Sequence, residues 1–258
     1  MSQPVICNLL VTRPNGQADE LLQQLQQLGF GVVHQPLIDI APITDDPVLK
    51  QTMMNLDLFH TVISVSANAS ELALEWIDQY WPQLPVDIEW LAVGPTSAAP
   101  FVPLGLSPIT PELAKTEGML ALPELQADVV AGQKVLILRG EGGRETLADV
   151  LTERGAQVTY AELYRRAPIA LAKGQLQGLC EQNQIRAAIL TSGDIVKQFV
   201  DQLVDKQFLA NCILIVPSER VAQYAQSLGA TRVVNSEGAN TQSLVNCVAA
   251  LVEAGTFS

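Results

Sequence analysis

The sequence predicts an α/β protein of two similar lobes, each a parallel sheet flanked by helices, with a cleft between them. Three observations carry this reading. The chain repeats itself: Leu9-Leu10-Val11-Thr12-Arg13 returns as Val135-Leu136-Ile137-Leu138-Arg139, Gly29 as Gly155, Pro42-Ile43 as Pro168-Ile169 and Ser66 as Ser192, always 126 positions later. A period of that length is domain-sized and is read before any local signal. Short apolar runs alternate with amphipathic stretches throughout, the pattern of strand–helix–strand units. Finally, two extended segments, Pro36 to Pro42 and Ala161 to Pro168, fall at equivalent places and break the rhythm.

The first unit opens with the apolar run Ile6 to Thr12, read as a strand buried on both faces. Arg13-Pro14-Asn15-Gly16 ends it, and Leu21, Leu22, Leu25 and Leu28 then mark one helical stripe that Gly29 stops. Val32 to His34 is the next strand. The second copy runs from Val135–Arg139 through a Gly140–Gly143 loop and a helix bearing Leu147 and Leu151 to Val158–Tyr160. Thr61–Ser66 with a helix carrying Leu72, Trp76 and Ile77 parallels Ala187–Thr191 with a helix carrying Val196, Phe199 and Leu203. Leu91–Val93 and Ile213–Val216 are the next strands, Ser107–Ile109 and Arg232–Val234 the edge strands. Closing helices span Thr116–Leu122 and Thr241–Val252, and Pro100 with Pro103 predicts a short or bent helix after Ser97. The two extended segments read as connections, residues 37–41 and 161–167, between a discontinuous lobe (1–36 with 168–258) and an inserted one (42–160).

Composition narrows the function. At 258 residues and 48% hydrophobic, the chain supports real cores rather than disorder. A net charge of −12 with no basic cluster argues against nucleic acid or an anionic membrane as partner. It leaves room for an anionic small molecule, because the field inside a cleft can oppose the global sign. Cys7, Cys180, Cys212 and Cys247 are widely spaced, and only His34 and His60 are available to join them, so no metal centre is expected. The thiols read as apolar residues in a reducing compartment. Residues 1–10 carry neither a basic segment nor a long apolar run, so no secretory signal is expected. With no membrane-length apolar stretch, the expectation is a cytoplasmic protein.

In open α/β sheets ligands gather beyond the carboxyl ends of the strands, at helix N-termini. Those ends carry Thr12-Arg13, Ser66-Ala67-Asn68, Gly94-Pro95-Thr96-Ser97, Arg139-Gly140, Thr191-Ser192 and Ser218. For Ser66, Ser70 and Thr241 helix capping is the expected role. Arg13 and Arg139, equivalent under the repeat, cannot cap an N-terminus and admit a functional and a structural reading alike. Gly140-Glu141-Gly142-Gly143 lacks the spacing of a dinucleotide fingerprint and the Lys-Ser/Thr of a phosphate loop. There is no Gly-x-Ser-x-Gly and no Cys–His pair, so any catalysis would rest on holding and shaping a substrate.

Six segments, in order along nearly the whole chain, give a likeness: Leu10-Val11-Thr12-Arg13-Pro14, Ser64 to Ala69, Val93 to Ala98, Gly132 to Gly140, Tyr160 to Arg166, and Leu190-Thr191-Ser192. Through them the chain resembles the uroporphyrinogen-III synthase family. The resemblance implies two α/β lobes joined by a two-stranded ladder, one lobe made from both chain ends. It implies a monomeric, cofactor-free hydro-lyase of haem and sirohaem biosynthesis that takes hydroxymethylbilane, a linear tetrapyrrole with eight carboxylates. Such an enzyme closes the macrocycle with inversion of the fourth ring and loss of water, through an azafulvene and a spiro intermediate. It also implies transient contact with the upstream enzyme that forms the bilane.

The family's tyrosine falls on Tyr164, the catalytic candidate, as hydrogen-bond donor to the leaving hydroxyl; a ladder residue packing its ring is the structural reading of the same position. The family's Gly-x-x-Thr-Ala turn falls on Gly94 to Ala98, with Ser97 at the hydroxyl position. The matching turn, Pro217 to Val221, departs from it in having no glycine, and Ser218 is its substrate-binding candidate. Substrate carboxylates are expected to meet helix N-termini, Arg13, Arg139, and Arg165 or Arg166. The equivalent pairs Arg13 with Arg139 and Ser66 with Ser192 are expected to face one cleft. The alternative is a two-lobed solute-binding or sensing protein without catalysis; a nucleotide or sugar-phosphate transferase is weakened by the missing phosphate loop.

Overall fold

The structure is a computed structural model and describes residues 7–257. From β1 (Asn8–Val11) the chain runs through α1 (Asp19–Gln27) to β2 (Gly31–His34) and β3 (Ile38–Pro42). Next come α2 (Pro47–Met54), β4 (Thr61–Ser64), α3 (Ala67–Tyr80), β5 (Glu89–Ala92) and α4 (Pro95–Ala98). Two short helices, α5 (Thr116–Ala121) and α6 (Ala127–Val130), precede β6 (Lys134–Gly140), α7 (Thr146–Glu153) and β7 (Gln157–Pro168). The remainder is α8 (Gln175–Gln182), β8 (Ile185–Ile189), α9 (Gly193–Asp201), α10 (Lys206–Asn211), β9 (Ile213–Val216), α11 (Glu219–Ser227), β10 (Val233–Asn235) and α12 (Thr241–Glu253).

These elements form two compact units. The first comprises the described residues through Asp39 and those from Ala167 onward; the second is Ile40–Arg166. The first unit holds a five-stranded sheet in the order β10-β9-β8-β1-β2, with every pair parallel. Alternate residues serve opposite faces, as the period of two in a strand requires. Leu9, Val11, Ala187, Ile189, Ile213 and Ile215 pack with α1 and α12 on one side, while Leu10, Ala188, Leu214 and Val216 pack with α9 and α11 on the other. Leu21 and Leu25 of α1 are fully buried. Burying a leucine of this kind stabilises by roughly 1.5–3 kcal/mol, and the i, i+4 spacing delivers both to the same sheet face.

The second unit repeats the plan. Its sheet is β3-β7-β6-β4-β5, with β7, β6, β4 and β5 parallel in that order. Val62, Trp90, Leu136 and Leu138 face α3, and Ile63, Leu91, Val135 and Ile137 face α7. At its edge β3 runs beside β7 in the opposite sense, as the bonds from Ile43 N to Leu163 O (2.9 Å) and from Ile169 N to Leu37 O (3.0 Å) show.

The structure adds the helices α6, α8 and α10 to the sequence-predicted elements, and three further departures have a physical reason. Ser107–Ile109 does not form an edge strand and is reduced to one bridge from Ile109 to Leu91, because Pro108 has no N–H to offer a ladder. Helix α2 has no predicted counterpart although its start is legible: Asp46 accepts from Val48 N (2.7 Å) and Leu49 N (3.2 Å), with Pro47 at the first helical position. Helix α11 also goes unpredicted; Ser218 caps it by accepting from Val221 N at 3.4 Å. The proline-bent segment holds as expected, since α4 gives way at once to a 3-10 turn over Ala99–Leu104. Among the described residues no helix is long and apolar enough to cross a membrane.

Candidate active site

In the second unit the helices after β4 and β6 leave for opposite sheet faces: α3 packs with Leu136 and Leu138, α7 with Val135 and Ile137. Because β4 and β6 are neighbours, a crevice must open between their carboxyl ends. A cavity of about 330 Å³ occupies that place, lined between β4 and α3 by Val65 and Ser66, from β6 and its loop by Arg139, Gly140, Gly142, Gly143 and Arg144, from α7 by Leu147 and Ala148, and from β7 by Tyr160, Tyr164 and Arg166. Its lining holds three arginines and no carboxylate, in a chain whose net charge is −12.

Tyr164 is 1% exposed, its ring packed into the core beside Leu136 and Leu138. Its hydroxyl meets Ser66 Oγ at 3.2 Å and accepts from Arg166 Nη2 at 3.2 Å, and the Arg166 guanidinium lies 5.4 Å from the ring centroid. The ring fits only because Gly140 faces it. A Cβ on Gly140 would sit 2.5 Å from Cε2 and Cζ of Tyr164, far inside contact distance. A register shift between β6 and β7 at Arg139/Gly140 sets this pairing. Both readings of Tyr164 therefore describe one residue: the ring is packing, and the hydroxyl borders the cavity.

Arg139 is 5% exposed and fully engaged. It donates to Gly140 O (3.1 Å) and Gly142 O, pairs with Glu145 Oε1 at 3.2 Å, and stacks 4.4 Å from the Tyr160 centroid. Tyr160 in turn donates to Glu145 Oε2. That bond, ahead of the nearby Arg139, holds the Glu145 carboxyl below its ordinary range. Burial first, and then the Glu145 carboxylate, push the Tyr160 phenol up to about 12. Arg139 thus braces the glycine loop. Arg165 is likewise committed, to Glu141 Oε2 at 2.7 Å. Among the described residues Arg144 has no hydrogen-bond or ion-pair partner, and Arg166 has no carboxylate partner.

The other candidates are placed as follows. Ala67 and Asn68 open α3, and Ser66 caps it by accepting from Ala69 N at 3.1 Å. Gly94 and Ser97 are buried while Pro95 and Thr96 are exposed; Gly94 O accepts from Ser97 N (3.0 Å) and Ala98 N (3.1 Å). Ser70 does not cap; it donates to Ser97 O at 2.6 Å and so ties the Gly94 turn to α3. In the first unit Thr12 Oγ1 donates to Ile189 O at 2.7 Å, joining neighbouring strand ends. Thr191 follows β8, and Ser192 caps α9 by accepting from Ile195 N at 3.2 Å. Arg13 donates to Gln17 O (3.2 Å) and Ala239 O. Burial lowers its pKa, with Glu20 opposing. Thr241 is not the cap of α12, which is Asn240; Thr241 donates to Glu20 Oε2 at 3.0 Å instead.

Of the predicted residues the cavity brings together Ser66, Arg139, Tyr164 and Arg166. It adds Gly140, Gly142, Gly143, Arg144 and Tyr160, which sequence reasoning did not assign to substrate. One signal was available. Tyr160, Glu162, Tyr164 and Arg166 recur at every second residue of one strand, although the register shift at Arg139/Gly140 leaves Tyr160 with the α7-side cluster and Tyr164 with the α3-side one. Three line the cavity, and Glu162 accepts from Gly142 N at 3.2 Å.

Known proteins agree with this architecture. The Uroporphyrinogen-III synthase HemD family model matches residues 19–246. Uroporphyrinogen-III synthase of Escherichia coli K12 is 33% identical over 249 residues, covering 93% of this chain and 99% of that protein. Among solved structures, a mutant uroporphyrinogen III synthase from the extremely thermophilic bacterium Thermus thermophilus superposes with a TM-score of 0.64 at 14% identity, over 98% of this chain and all of that one. The Helicobacter pylori 26695 enzyme gives 0.60 at 15% identity, covering 95% of this chain and 99% of that one. The structural likeness shows the two-sheet α/β fold; the sequence likeness places this chain in the uroporphyrinogen-III synthase family.

Proposed function

We propose that the chain is a cofactor-independent lyase that converts hydroxymethylbilane to uroporphyrinogen III, and that the Tyr164 cavity receives the ring bearing the hydroxymethyl group. Family membership supplies the reaction. The observation that carries the site is the Tyr164 hydroxyl, held between Ser66 and Arg166 at the edge of a cavity whose lining has arginines and no carboxylate. At about 330 Å³ the cavity lies at the small end of the range for ligand sites. It suits one terminal ring with its side arms rather than a whole linear tetrapyrrole.

The chemistry needs little beyond this. The lone pair of the pyrrole nitrogen expels the hydroxyl from its methylene carbon, and the departing oxygen, taking up a proton, leaves as water. A hydrogen bond donated to that oxygen lowers the barrier, because the charge on it grows in the transition state. Arg166 donates to the phenol oxygen of Tyr164, so the phenol proton is polarised toward an acceptor. Ser66 fixes the hydroxyl's direction, and the glycine at 140 leaves room for the ring that carries it. Ring inversion then depends on how the walls orient the far pyrrole, which is positioning rather than acid–base work.

We place the reaction in the cytoplasm, in keeping with four free cysteines, two of them buried. The linear substrate also closes unaided to the type I isomer, so transient contact with the upstream enzyme would shorten its time in water. The test is to supply hydroxymethylbilane, oxidise the products and identify the isomer. Type III is expected; type I alone would overturn the reading and favour a non-catalytic binding protein.

A further inference from the structure

We infer that Arg144 and Arg166 form a carboxylate subsite for the side arm of the ring that loses its hydroxyl, with Arg144 supplying specificity and Arg166 joining the subsite to Tyr164. The inference rests on the uroporphyrinogen-III synthase reading and adds the residues that recognise the substrate's charge. Three observations converge on it. Both arginines line the cavity, whose lining contains no carboxylate. Each lacks an acidic partner among the described residues, whereas Arg139 and Arg165, each preceding one of them in sequence, pair with Glu145 and Glu141. Unpaired arginines converging on a concavity present planar donor forks matched to a carboxylate. And the Arg139–Glu145–Tyr160 brace fixes the loop that ends at Arg144, so that side chain projects from an anchored backbone.

The substrate's chemistry suits this placement. Eight carboxylates on four pyrroles give two per ring, so the ring carrying the hydroxymethyl group bears an acidic arm on the neighbouring carbon. With its hydroxyl at the Tyr164 phenol, that arm is directed to Arg166, which already donates to the same phenol oxygen at 3.2 Å. Arg144 closes the other side. Recognition of the arm and assistance to the leaving group are then coupled through one guanidinium. The roles separate accordingly: Arg144 contributes binding, while Arg166 contributes both binding and orientation of Tyr164.

The repeat gives an internal control. The positions equivalent to Arg144 and Arg166, 126 residues earlier, are Ala18 and Ile40. Neither residue carries a charge, so no such subsite can form at these positions, of which Ala18 lies in the first unit and Ile40 at the start of the second.

The experiment is steady-state kinetics on hydroxymethylbilane with Arg144→Gln, Arg144→Lys, Arg166→Lys and the double Gln variant, together with equilibrium binding of uroporphyrinogen III under anaerobic conditions. Arg144 is exposed and without partners, so its replacement leaves the fold intact. Loss of one charge-assisted hydrogen bond predicts a KM about ten-fold higher for Arg144→Gln with kcat nearly unchanged. Arg144→Lys should recover part of it, and Arg166→Lys should lower kcat as well. Raising salt should weaken wild-type binding more than that of the double variant. An unchanged KM in Arg144→Gln, with type III product still formed, overturns the subsite and leaves the enzyme reading standing. Wild-type protein that binds uroporphyrinogen III through these arginines yet forms no type III product upholds the subsite and overturns the enzyme reading.

Discussion

The two units are one plan used twice, and they differ most where chemistry is expected. Strand order matches element for element, β2-β1-β8-β9-β10 in the first unit against β7-β6-β4-β5 and the Ile109 bridge in the second. The devices that hold the strand ends match as well. Ser192 caps α9 as Ser66 caps α3, and Arg13 donates to loop carbonyls as Arg139 does. Apart from Ser66 and Arg139, the polar and aromatic residues of the cavity do not match. Under the offset of 126, Gly140, Arg144, Tyr160, Tyr164 and Arg166 correspond to Pro14, Ala18, His34, Ile38 and Ile40. The continuous twelve-residue β7 corresponds to the separate β2 and β3, interrupted where Pro36 stands in place of Glu162 and removes a ladder donor. Repeated residues mark architecture, and the residues that break the repeat mark the site.

The sharpest way to break this contrast is to treat Tyr164 and Ile38 alike. Tyr164→Phe keeps the packed ring and deletes the hydroxyl. Turnover should fall about a hundred-fold, the lower range for a positioned proton donor, while stability drops by only ~1 kcal/mol for the lost hydrogen bonds. Ile38→Val, in the buried core of the first unit, should cost ~1 kcal/mol and leave kcat alone. Rates and urea midpoints measured on both proteins decide it. If Tyr164→Phe turns over at the wild-type rate, Tyr164 is a packing residue only.

Gly140→Ala probes the same contrast through the backbone. Its Cβ would lie 2.5 Å from ring carbons of Tyr164, so the ring or the strand must shift. Overpacking of this kind costs roughly 1–3 kcal/mol, and kcat should fall with it because the hydroxyl moves. At the equivalent positions Pro14 and Ile38 stand in place of Gly140 and Tyr164, and Pro14→Ala should change the melting temperature slightly and kcat not at all. Equal losses at the two positions would show that Gly140 serves the turn and not the tyrosine.

Much of this architecture was legible in the sequence because it depends on periodicity. Alternating apolar runs, the Leu21/Leu25 stripe and the repeat itself fix strands, helices and their order. What escaped depends on three-dimensional neighbours. Arg13 and Arg139 stand at strand ends where ligands gather, yet Arg139 folds back on its own loop and Arg13 donates to Gln17 O and to Ala239 O in a distant loop, engagements that sequence position does not reveal. Arg144 sat in a loop set aside for lacking a phosphate motif, although its availability is what distinguishes it. Ser70 and Thr241 carry the residue types of caps, but one lies inside α3 bound to Ser97 and the other follows the true cap Asn240. Residue type names the donors and acceptors; it does not name their partners.

The paired caps offer a finer cut. Ser66→Ala and Ser192→Ala each remove one side-chain acceptor from a helix N-terminus and should each cost ~1 kcal/mol. Their effects on rate should diverge. Ser66 Oγ also meets the Tyr164 hydroxyl, so only Ser66→Ala should lower kcat, by several-fold. Matching rates in the two variants would detach Ser66 from the site.

The smallest effect is a pH signature of the brace, and it too belongs to one unit. Glu145 is held below its ordinary range chiefly by the hydrogen bond from Tyr160. A carboxyl whose folded pKa is depressed contributes stability above its unfolded pKa and loses it as pH falls through the folded value. Tyr160→Phe removes the leading cause, so the acid-side decline in stability should become shallower. On the alkaline side Tyr160, pushed up to about 12, contributes stability that is complete below the ordinary phenol value of 10.0 and lost as pH rises toward the folded one. The Phe variant should lack that decline. His34, the equivalent residue, bonds through Nε2 to Arg13 O at 2.9 Å and touches no carboxylate in this way, so His34→Phe should leave the Glu145 limb in place. Denaturant midpoints followed from acid to alkaline pH separate the two. Identical acid limbs in Tyr160→Phe and wild type would mean that Glu145 draws its depressed pKa from Arg139, and that the brace holds through the guanidinium alone.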